Sequence, residues 1–322
     1  MQTFDAAATR RALHFERLIA ALRGMFQAEC EVPRRHVHEI AAPDGGVLTS
    51  LLMPAWLPGR YYGVKTVNIA PGNAARGLPG LHATYLLYDA NTGVPLALID
   101  GNEITARRTA AASALAASWL AQPAARRLLV VGAGRVAQLM PSAFRAVLPI
   151  EHVGVWSRAP AKAAALAAEW RDCGLDAQAA TDLAQAVAQA DIVSCATLAT
   201  APLVQGRWLA PGSHLDLVGS FTPQMREADD DCFAGASLYV DTEEALQKSG
   251  ELLGPLSRGV FTREEVRGSL AGLCRGEVRG RTTSDERTVF KSVGSALEDL
   301  AAAILVYESA TRVNGAGGRT GT

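Results

Sequence analysis

The chain has 322 residues, of which 49% are hydrophobic and 20% charged, with a formal net charge of −1. This length predicts about two domains, and the balanced charge gives no reason to expect a nucleic acid or an anionic membrane as partner. The first residues lack a secretory signal, and no run of about 18 apolar residues is free of charges or breakers. The cysteines form no C-x-x-C pair, which argues against disulfides or a metal site. We therefore expect a cytoplasmic protein with reduced thiols.

The first third of the chain predicts a helix followed by an antiparallel sheet. Apolar residues recur at helical spacing over 10–28. Over 35–100, short apolar runs alternate with turn signals such as PDGG, LPGR and NTG. Residues 101–121 are rich in alanine and predict a second helix.

Within that sheet, one lysine stands in an otherwise alternating strand. In GVKTVNIAPGN, Lys65 shares a face with Val67 and Ile69 because strand side chains repeat every second residue. One interpretation is that the lysine stem covers the core while the ammonium reaches water. The other is that a buried anion lies beside the ammonium.

From residue 127 onward, strand-like and helix-like segments alternate, which is typical of a parallel sheet with helical crossovers. The predicted strands are 127–131, 152–157, 175–179, 190–196, 214–219 and 237–241. Residues 288–310 predict a long final helix, and the glycine-rich tail 314–322 predicts disorder.

The segment LLVVGAGRVAQ carries the pattern G-x-G-x-x-A after an apolar strand and at the start of a predicted helix. Gly132 permits a tight turn, Gly134 lets the backbone approach a pyrophosphate, and Ala137 allows close helix packing. The alternative is a glycine-rich turn that binds nothing. The candidate cofactor-binding residues of this loop are Gly132, Ala133, Gly134, Arg135, Val136 and Ala137.

The next predicted strand ends in Ser157 and Arg158, where an NAD site usually has an acidic residue for the ribose hydroxyls. A hydroxyl and a guanidinium suit a 2′-phosphate, which favours NADPH over NADH. Arg158 could also be a solvated residue at a strand end, so the use of NADH stays open.

These patterns predict an α/β fold in which a Rossmann domain, 122–294, is inserted in an α+β domain. The second domain consists of 1–121 plus 295–322, so that it combines the N-terminal sheet with the last helix.

Several segments resemble the ornithine cyclodeaminase/μ-crystallin family over roughly residues 30–310. They are GVKTVNIAPGN, HATYLLYDANTGVPLALIDGNEITARRTAAASALAA, VVGAGRVA, HLDLVGSFTPQMREAD and TVFKSVGSALEDLAAA. The resemblance implies that the sheet domain binds substrate and forms a homodimer, whereas the Rossmann domain holds NAD(P). It also implies a small cyclic imino acid as substrate.

The resemblance also implies residue roles. Basic side chains of the sheet domain would hold a substrate carboxylate, and the matching positions are Arg35, Lys65 and Arg108. Three cations around an empty pocket would repel one another, so the substrate anion is expected to complete the site. Thr84 would be a polar wall of the pocket. Ser220 and Phe221 would border the nicotinamide, next to Gly219 of the cofactor site, and Phe221 would also be an apolar wall against the substrate. Ser292 and Gly294 would close the pocket from the final helix.

The sequence departs from the family's cyclodeaminases at one position. They carry an aspartate shortly after the glycine pair, whereas this chain has Phe221, which cannot accept a proton or pair with an ammonium. The nearby acids are Asp216 and Glu227, and whether Asp216 reaches the pocket stays open. Ammonia elimination from ornithine is therefore disfavoured.

The segment VGSFTPQMREADD resembles the bacterial branch of the family that reduces Δ1-pyrroline-2-carboxylate to L-proline, often together with Δ1-piperideine-2-carboxylate to L-pipecolate. That branch serves hydroxyproline or D-amino-acid breakdown. The resemblance thus implies an NAD(P)H-dependent ketimine reductase, with Lys65 and Arg108 at its catalytic centre. Other activities on the same scaffold remain open: alanine dehydrogenase, an opine-type synthase, ornithine cyclodeaminase, or a non-enzymatic binder.

Overall fold

The computed structural model describes residues 1–42 and 46–316, and the chain divides into two compact units. The first unit consists of Met1–Arg108 together with the chain from Ser295 onward, and the second of Thr109–Gly294. The units divide inside a helix, whereas the sequence analysis placed this boundary after residue 121. The functions assigned to the two domains stay predictions.

The first unit is built on a six-stranded sheet in the order β1-β6-β5-β4-β3-β2. The strands are β1 Gln2–Phe4, β2 His36–Ala41, β3 Val47–Leu57, β4 Tyr61–Ile69, β5 Leu81–Asp89 and β6 Pro95–Asp100. β1 runs parallel to β6 and the other pairs are antiparallel, as the turn signals predict. The connections from β3 to β4 and from β5 to β6, of three and five residues, are too short for a parallel crossover.

Helices cover one face of this sheet. They are α1 Ala6–Ala12, α2 Phe15–Gln27, the start of α3 Gly101–Leu120, and the last helix, α10 Ala296–Ala316. The single helix predicted over 10–28 is two helices, because Leu13 leaves helical geometry and His14 is extended. The apolar side of α2 is buried, and α10 packs against α2 and the strands β3 to β6. This packing makes the inner face of the sheet the core of the unit.

The second unit is a parallel sheet in the order β13-β12-β14-β11-β10-β7-β8-β9. Its strands are β7 Arg127–Val131, β8 His152–Trp156, β9 Asp176–Ala179, β10 Ile192–Cys195, β11 His214–Leu217, β12 Ser237–Val240, β13 Val266–Ser269 and β14 Thr288–Lys291. Its helices, besides the end of α3, are α4 Met140–Arg145, α5 Pro160–Asp172, α6 Leu183–Gln189, α7 Ala245–Lys248, α8 Gly250–Ser257 and α9 Leu270–Arg275. The predicted α/β class and all six predicted strands are confirmed.

The C-terminal prediction was partly wrong. Residues 288–291 form β14, which is fully buried between β11 and β12, so that the final helix begins only at Ala296. A short apolar run does not by itself distinguish a buried strand from a helix. The helix α10 extends to Ala316, into the tail predicted to be disordered, and the rest of that tail lies outside the described residues.

None of the described helices combines the length and the apolar character that crossing a bilayer would need.

Candidate active site

Lys65 is buried on the inner face of the first unit's sheet and lies against the last helix. The side chains of β4 alternate, and Lys65 and Val67 belong to its buried set. The Lys65 Nζ lies 2.6 Å from Asp299 Oδ2. Arg108 of α3 donates from Nε to Asp299 Oδ1 at 3.0 Å and from Nη1 to Glu298 Oε2 at 2.8 Å. A buried anion therefore does lie beside Lys65, and it is a carboxylate of this chain.

These carboxylates change the electrostatics expected for the predicted cations. Glu298 and Asp299 already balance Lys65 and Arg108, so the expectation that a substrate anion must complete the site is wrong for these two cations. Burial lowers the pKa of Lys65 to about 8; the attraction of Asp299 opposes this shift, and the charge of Arg108 adds to it. Lys65 is thus mostly an ammonium at neutral pH and can lose its charge just above it.

Sequence reasoning missed Glu298 and Asp299, although the sequence contains a signal. Two adjacent acids interrupt the alanine-rich segment SALEDLAAA, and both are fully buried in the first turn of α10. Buried carboxylates are rarely found without a partner. The pair therefore indicates buried cations nearby.

The other two residues predicted in this unit are placed differently. Arg35 is half-buried in the irregular segment just before β2, and its role stays a prediction. Thr84 pairs with Thr66 across β4 and β5, whereas Lys65 pairs with Tyr85. Directly paired residues share a face and neighbours alternate, so Thr84 points to the face opposite Lys65. The prediction that Thr84 walls the Lys65 pocket was therefore wrong.

The glycine loop of the second unit has the backbone that its sequence predicts. Gly132 follows β7 with φ of +126°, and a Cβ there would lie 2.5 Å from the Ala196 carbonyl oxygen. Only glycine fits such a position. At Gly134 an added Cβ would meet no atom within 4 Å, so the backbone is open to a ligand. This open backbone fits the pyrophosphate of a dinucleotide.

The segment after the loop differs from the prediction in detail. Ala137 is fully buried, as close packing requires, but it begins a single 3₁₀ turn, Ala137–Leu139, and α4 starts only at Met140. The loop residues Ala133 and Val136 are half-buried, and Arg135 is exposed. Their cofactor contacts stay predictions.

Ser157 and Arg158 lie beside this loop. The Gly132 N–H donates to the carbonyl of Trp156 at 2.8 Å, which brings the end of β8 next to the glycine turn. Arg158 is exposed, and Ser157 Oγ accepts from the Ala159 N–H at 3.3 Å. The contact of these two residues with a cofactor stays a prediction.

A buried carboxylate holds two loops at the carboxyl edge of the second unit's sheet. Glu227 Oε1 accepts from the N–H and the hydroxyl of Thr197 at 2.7 and 2.8 Å, and Oε2 accepts from the Gly219 N–H at 2.7 Å. Burial raises the pKa of Glu227 to about 7, and the positive charge of Lys291 opposes this. The sequence analysis considered Glu227 only as an acid near Phe221.

Ser220, predicted to border the nicotinamide, is fully buried. Its hydroxyl donates to the carbonyl of Met225 and accepts from the Glu251 N–H, and its carbonyl accepts from Ser249 Oγ. A contact with a cofactor would therefore come from the loop backbone. The prediction that Ser220 borders the nicotinamide stays a prediction.

The loop after β14 is held by a second carboxylate. Asp241 Oδ2 accepts from the N–H groups of Val293 and Gly294 at 2.7 and 2.6 Å. Gly294 has φ of +79°, and Ser292 is buried and donates its N–H to Leu217. These hydrogen bonds fix the position of the loop in the structure, and its contact with a ligand stays a prediction.

Phe221 and the nearby acids answer a question that the sequence left open. Phe221 is 43% exposed, whereas Asp216 and Glu227 are fully buried. Asp216 Oδ2 accepts from the Ser194 hydroxyl at 2.6 Å, and burial raises the Asp216 pKa to about 6. Both acids are engaged inside the unit, so neither replaces an aspartate at position 221.

Known proteins match the chain over most of its length. The sequence profile of the ornithine cyclodeaminase/mu-crystallin family matches residues 10–314. The Delta(1)-pyrroline-2-carboxylate reductase of Paracoccus denitrificans is 44% identical over 272 residues, which cover 84% of this chain and 85% of that protein.

Two solved structures share the whole architecture. The Delta(1)-pyrroline-2-carboxylate reductase of Thermococcus litoralis, in complex with NADH and L-proline, superposes with a TM-score of 0.91 at 32% identity and covers 98% of both chains. An archaeal alanine dehydrogenase dimer with bound NAD superposes with a TM-score of 0.89 at 29% identity, over 98% of this chain and 97% of the other.

Proposed function

Because the chain belongs to the ornithine cyclodeaminase/mu-crystallin family, we propose that it is an NAD(P)H-dependent reductase of cyclic ketimine carboxylates. Its substrate would be Δ1-pyrroline-2-carboxylate, with Δ1-piperideine-2-carboxylate as a second one, and its products L-proline and L-pipecolate. The named reductases of Paracoccus and Thermococcus support this choice.

The observation that carries the proposal is the environment of Phe221. An exposed phenyl ring occupies the loop after β11, and the acids on either side of it, Asp216 and Glu227, are buried and hydrogen-bonded. Deamination of ornithine needs a group that handles an ammonium and a proton, which this loop does not offer. Reduction of an imine mainly needs positioning and the exclusion of water. Ornithine cyclodeaminase is therefore not favoured, and the named reductases favour ketimine reduction over an alanine dehydrogenase activity.

In this proposal the first unit binds the substrate carboxylate. Lys65 and Arg108 provide the buried cations, with Arg35 as a third candidate. Charge-assisted hydrogen bonds of this kind contribute on the order of 1.5–3 kcal/mol each. Asp299 and Glu298 hold the cations in place before a substrate arrives. The clamp is thus preorganised, which lowers the entropic cost of binding.

The second unit binds the dinucleotide at the glycine loop. When bound, the reduced nicotinamide supplies a hydride to the imine carbon. Gly132 and Gly134 give the pyrophosphate access to the backbone, and Gly219 lies in the loop held by Glu227. Phe221, in the same loop, would border the bound nicotinamide with an apolar side chain. Ser157 and Arg158 favour NADPH, because a guanidinium pairs with a phosphate dianion and neither of these two residues is an acid.

We further propose a homodimer formed through the outer face of the first unit's sheet. On the face opposite Lys65, the half-buried aromatic side chains Trp56, Tyr62 and Tyr88 contact one another, with ring centroids 6.5 and 5.2 Å apart. Pro54, Val64 and Leu86 extend this surface, since they pair in register on the same face. A continuous apolar surface indicates a partner, and Tyr62→Glu should convert a dimer into a monomer in light-scattering chromatography.

The deciding experiment is a turnover assay with two substrates. The loss of NADPH absorbance is followed with Δ1-pyrroline-2-carboxylate, and ammonia release is measured separately with L-ornithine. We expect rapid NADPH oxidation with L-proline as the product and no ammonia. Ammonia from ornithine without ketimine reduction would refute the proposal.

A further inference from the structure

Two apolar side chains of the second unit lie open to solvent. The structure describes all of 109–294, and the large hydrophobic side chains exposed there are Leu198, at 72%, and Phe221, at 43%. Leu198 follows β10 and Phe221 follows β11, so both belong to loops at the carboxyl edge of the sheet. Ligands of open parallel sheets bind at this edge. Both side chains are therefore accessible to a ligand that binds at that edge.

One carboxylate links the two loops that carry these side chains. Glu227 holds Thr197, the residue before Leu198, on one oxygen and Gly219, two residues before Phe221, on the other. The Thr197 carbonyl packs so closely on Gly219 that an added Cβ would overlap it. The two loops are thus joined at a fixed spacing.

Glu227 is itself held in place and closed off from ligands. Its side chain is fully buried, and its N–H donates to Glu251 Oε2 at 2.7 Å, while the Ala228 N–H donates to Glu251 Oε1 at 2.9 Å. Both oxygens of Glu227 accept from loop N–H groups. Its influence on a ligand therefore passes through the loops that it spaces.

We propose that Glu227 is a positioning residue that sets the spacing of Leu198 and Phe221, and that these two side chains form the apolar surface on which the methylene carbons of the substrate ring pack. The inference rests on the proposed function and adds the basis of its ring selectivity. A chain ending in an ammonium is rejected because desolvation of the unpaired charge outweighs its attraction to a phenyl face.

The test measures binding by calorimetry on the protein saturated with NADP⁺. L-Proline and L-ornithine both carry an amino group and a carboxylate, but only ornithine adds a charged side chain. We expect the wild type to prefer proline at least about tenfold, and Leu198→Ala to reduce this preference about fivefold through lost apolar contact. The matched control is Val94→Ala, an apolar side chain of similar exposure at a hairpin of the first unit, which should leave the preference unchanged.

The role of Glu227 is tested by a double-mutant cycle. Glu227→Gln turns an amide N–H towards a backbone N–H, so the loops shift and the preference for proline falls. Leu198→Ala should then reduce the preference for proline less in the Glu227→Gln background than in the wild type, because Glu227→Gln has already changed the spacing of the two loops. A purely structural Glu227 would lower the melting temperature without this coupling. Asp191→Asn, which alters a carboxylate holding two N–H groups at the amino edge of the sheet, serves as the control.

If Glu227→Gln does not fold, Thr197→Val replaces it in the cycle. This change removes the hydroxyl donor to Glu227 while preserving shape, and Thr197→Ser retains the donor. Additive effects, or a proline preference that stays within twofold in Leu198→Ala, would overturn the inference. A protein that shows the preference and the coupling but reduces no ketimine would overturn the proposed function alone.

Discussion

Lys65 and Asp299 form an ion pair in which neither side chain reaches solvent: 2% of the lysine and none of the aspartate is exposed, and Nζ lies 2.6 Å from Oδ2. The same carboxylate accepts from Arg108. Because a buried charge without a partner is costly to desolvate, removing any one of these three charges would destabilise the folded protein. The pair thus links the sheet to the last helix and holds the proposed carboxylate clamp.

The first prediction concerns the stability of this pair. Asp299→Asn should lower the free energy of unfolding by about 3–5 kcal/mol, because it leaves Lys65 buried without its counter-charge. Glu308→Gln on the same helix removes a partly exposed partner of Arg60 and should cost less than about 1 kcal/mol. Urea unfolding measures both. Equal losses would show that the buried pair contributes no more than a surface one.

The second prediction concerns pH. The pKa of Lys65 is about 8, so its charge is present below that pH and lost above it. The KM for the ketimine should therefore rise as the pH passes 8, since a neutral amine no longer attracts a carboxylate. Titration of the substrate also contributes, but equally in Lys65→Arg, whose charge persists.

The measurement for this prediction is the KM for the ketimine as a function of pH, compared between the wild type and Lys65→Arg. Lys65→Met should show a high KM throughout, with unchanged NADPH binding. Identical profiles for the wild type and Lys65→Arg would exclude Lys65 as the titrating group.

The third prediction concerns cofactor choice. Arg158→Asp should weaken NADPH binding about tenfold to a hundredfold, the equivalent of one charge-assisted hydrogen bond, and affect NADH far less. Arg145→Asp at the end of α4 makes the same change of charge on another exposed arginine. The dissociation constants of NADPH and NADH, measured by fluorescence titration of both variants, test this prediction. If both dinucleotides lose affinity equally, Arg158 does not contact a 2′-phosphate.

The fourth prediction separates the two glycines of the cofactor loop. Gly132→Ala should destabilise the fold, because its φ is positive and the new methyl group meets the Ala196 carbonyl. Gly134→Ala should keep the melting temperature, since the added Cβ meets no protein atom, but it should weaken dinucleotide binding. Thermal melts and NADPH titrations of both variants check this. Undiminished binding by Gly134→Ala would contradict the approach of a pyrophosphate at that position.

Much of the fold follows from local patterns. Alternation with a period of two marks β4 and β5, and apolar runs after turn signals mark the strands of the parallel sheet. The glycine loop could be recognised because its glycine spacing reflects the positive φ that the backbone adopts at Gly132. β14 was missed because a buried strand and a buried helix have similar composition.

The residues of the candidate site could be predicted only in part from the sequence. Lys65 stood out as a cation in an apolar strand pattern and Arg108 through the family resemblance, but their counter-charges lie on a helix at the other end of the chain. The face of Thr84 depends on the register between β4 and β5, which no single strand reveals. The bonds of Glu227 to Thr197 and Gly219 join loops that meet only in the folded sheet.

By itself, the sequence determined which elements form, where the dinucleotide loop lies and that Lys65 faces the core, because these depend on side-chain period and on backbone strain within a few residues. The tertiary structure decided which charges are paired and which loops are joined. Coulomb attraction and hydrogen bonding depend on distance in space, and Asp299 comes within 2.6 Å of Lys65 only when α10 packs on the sheet.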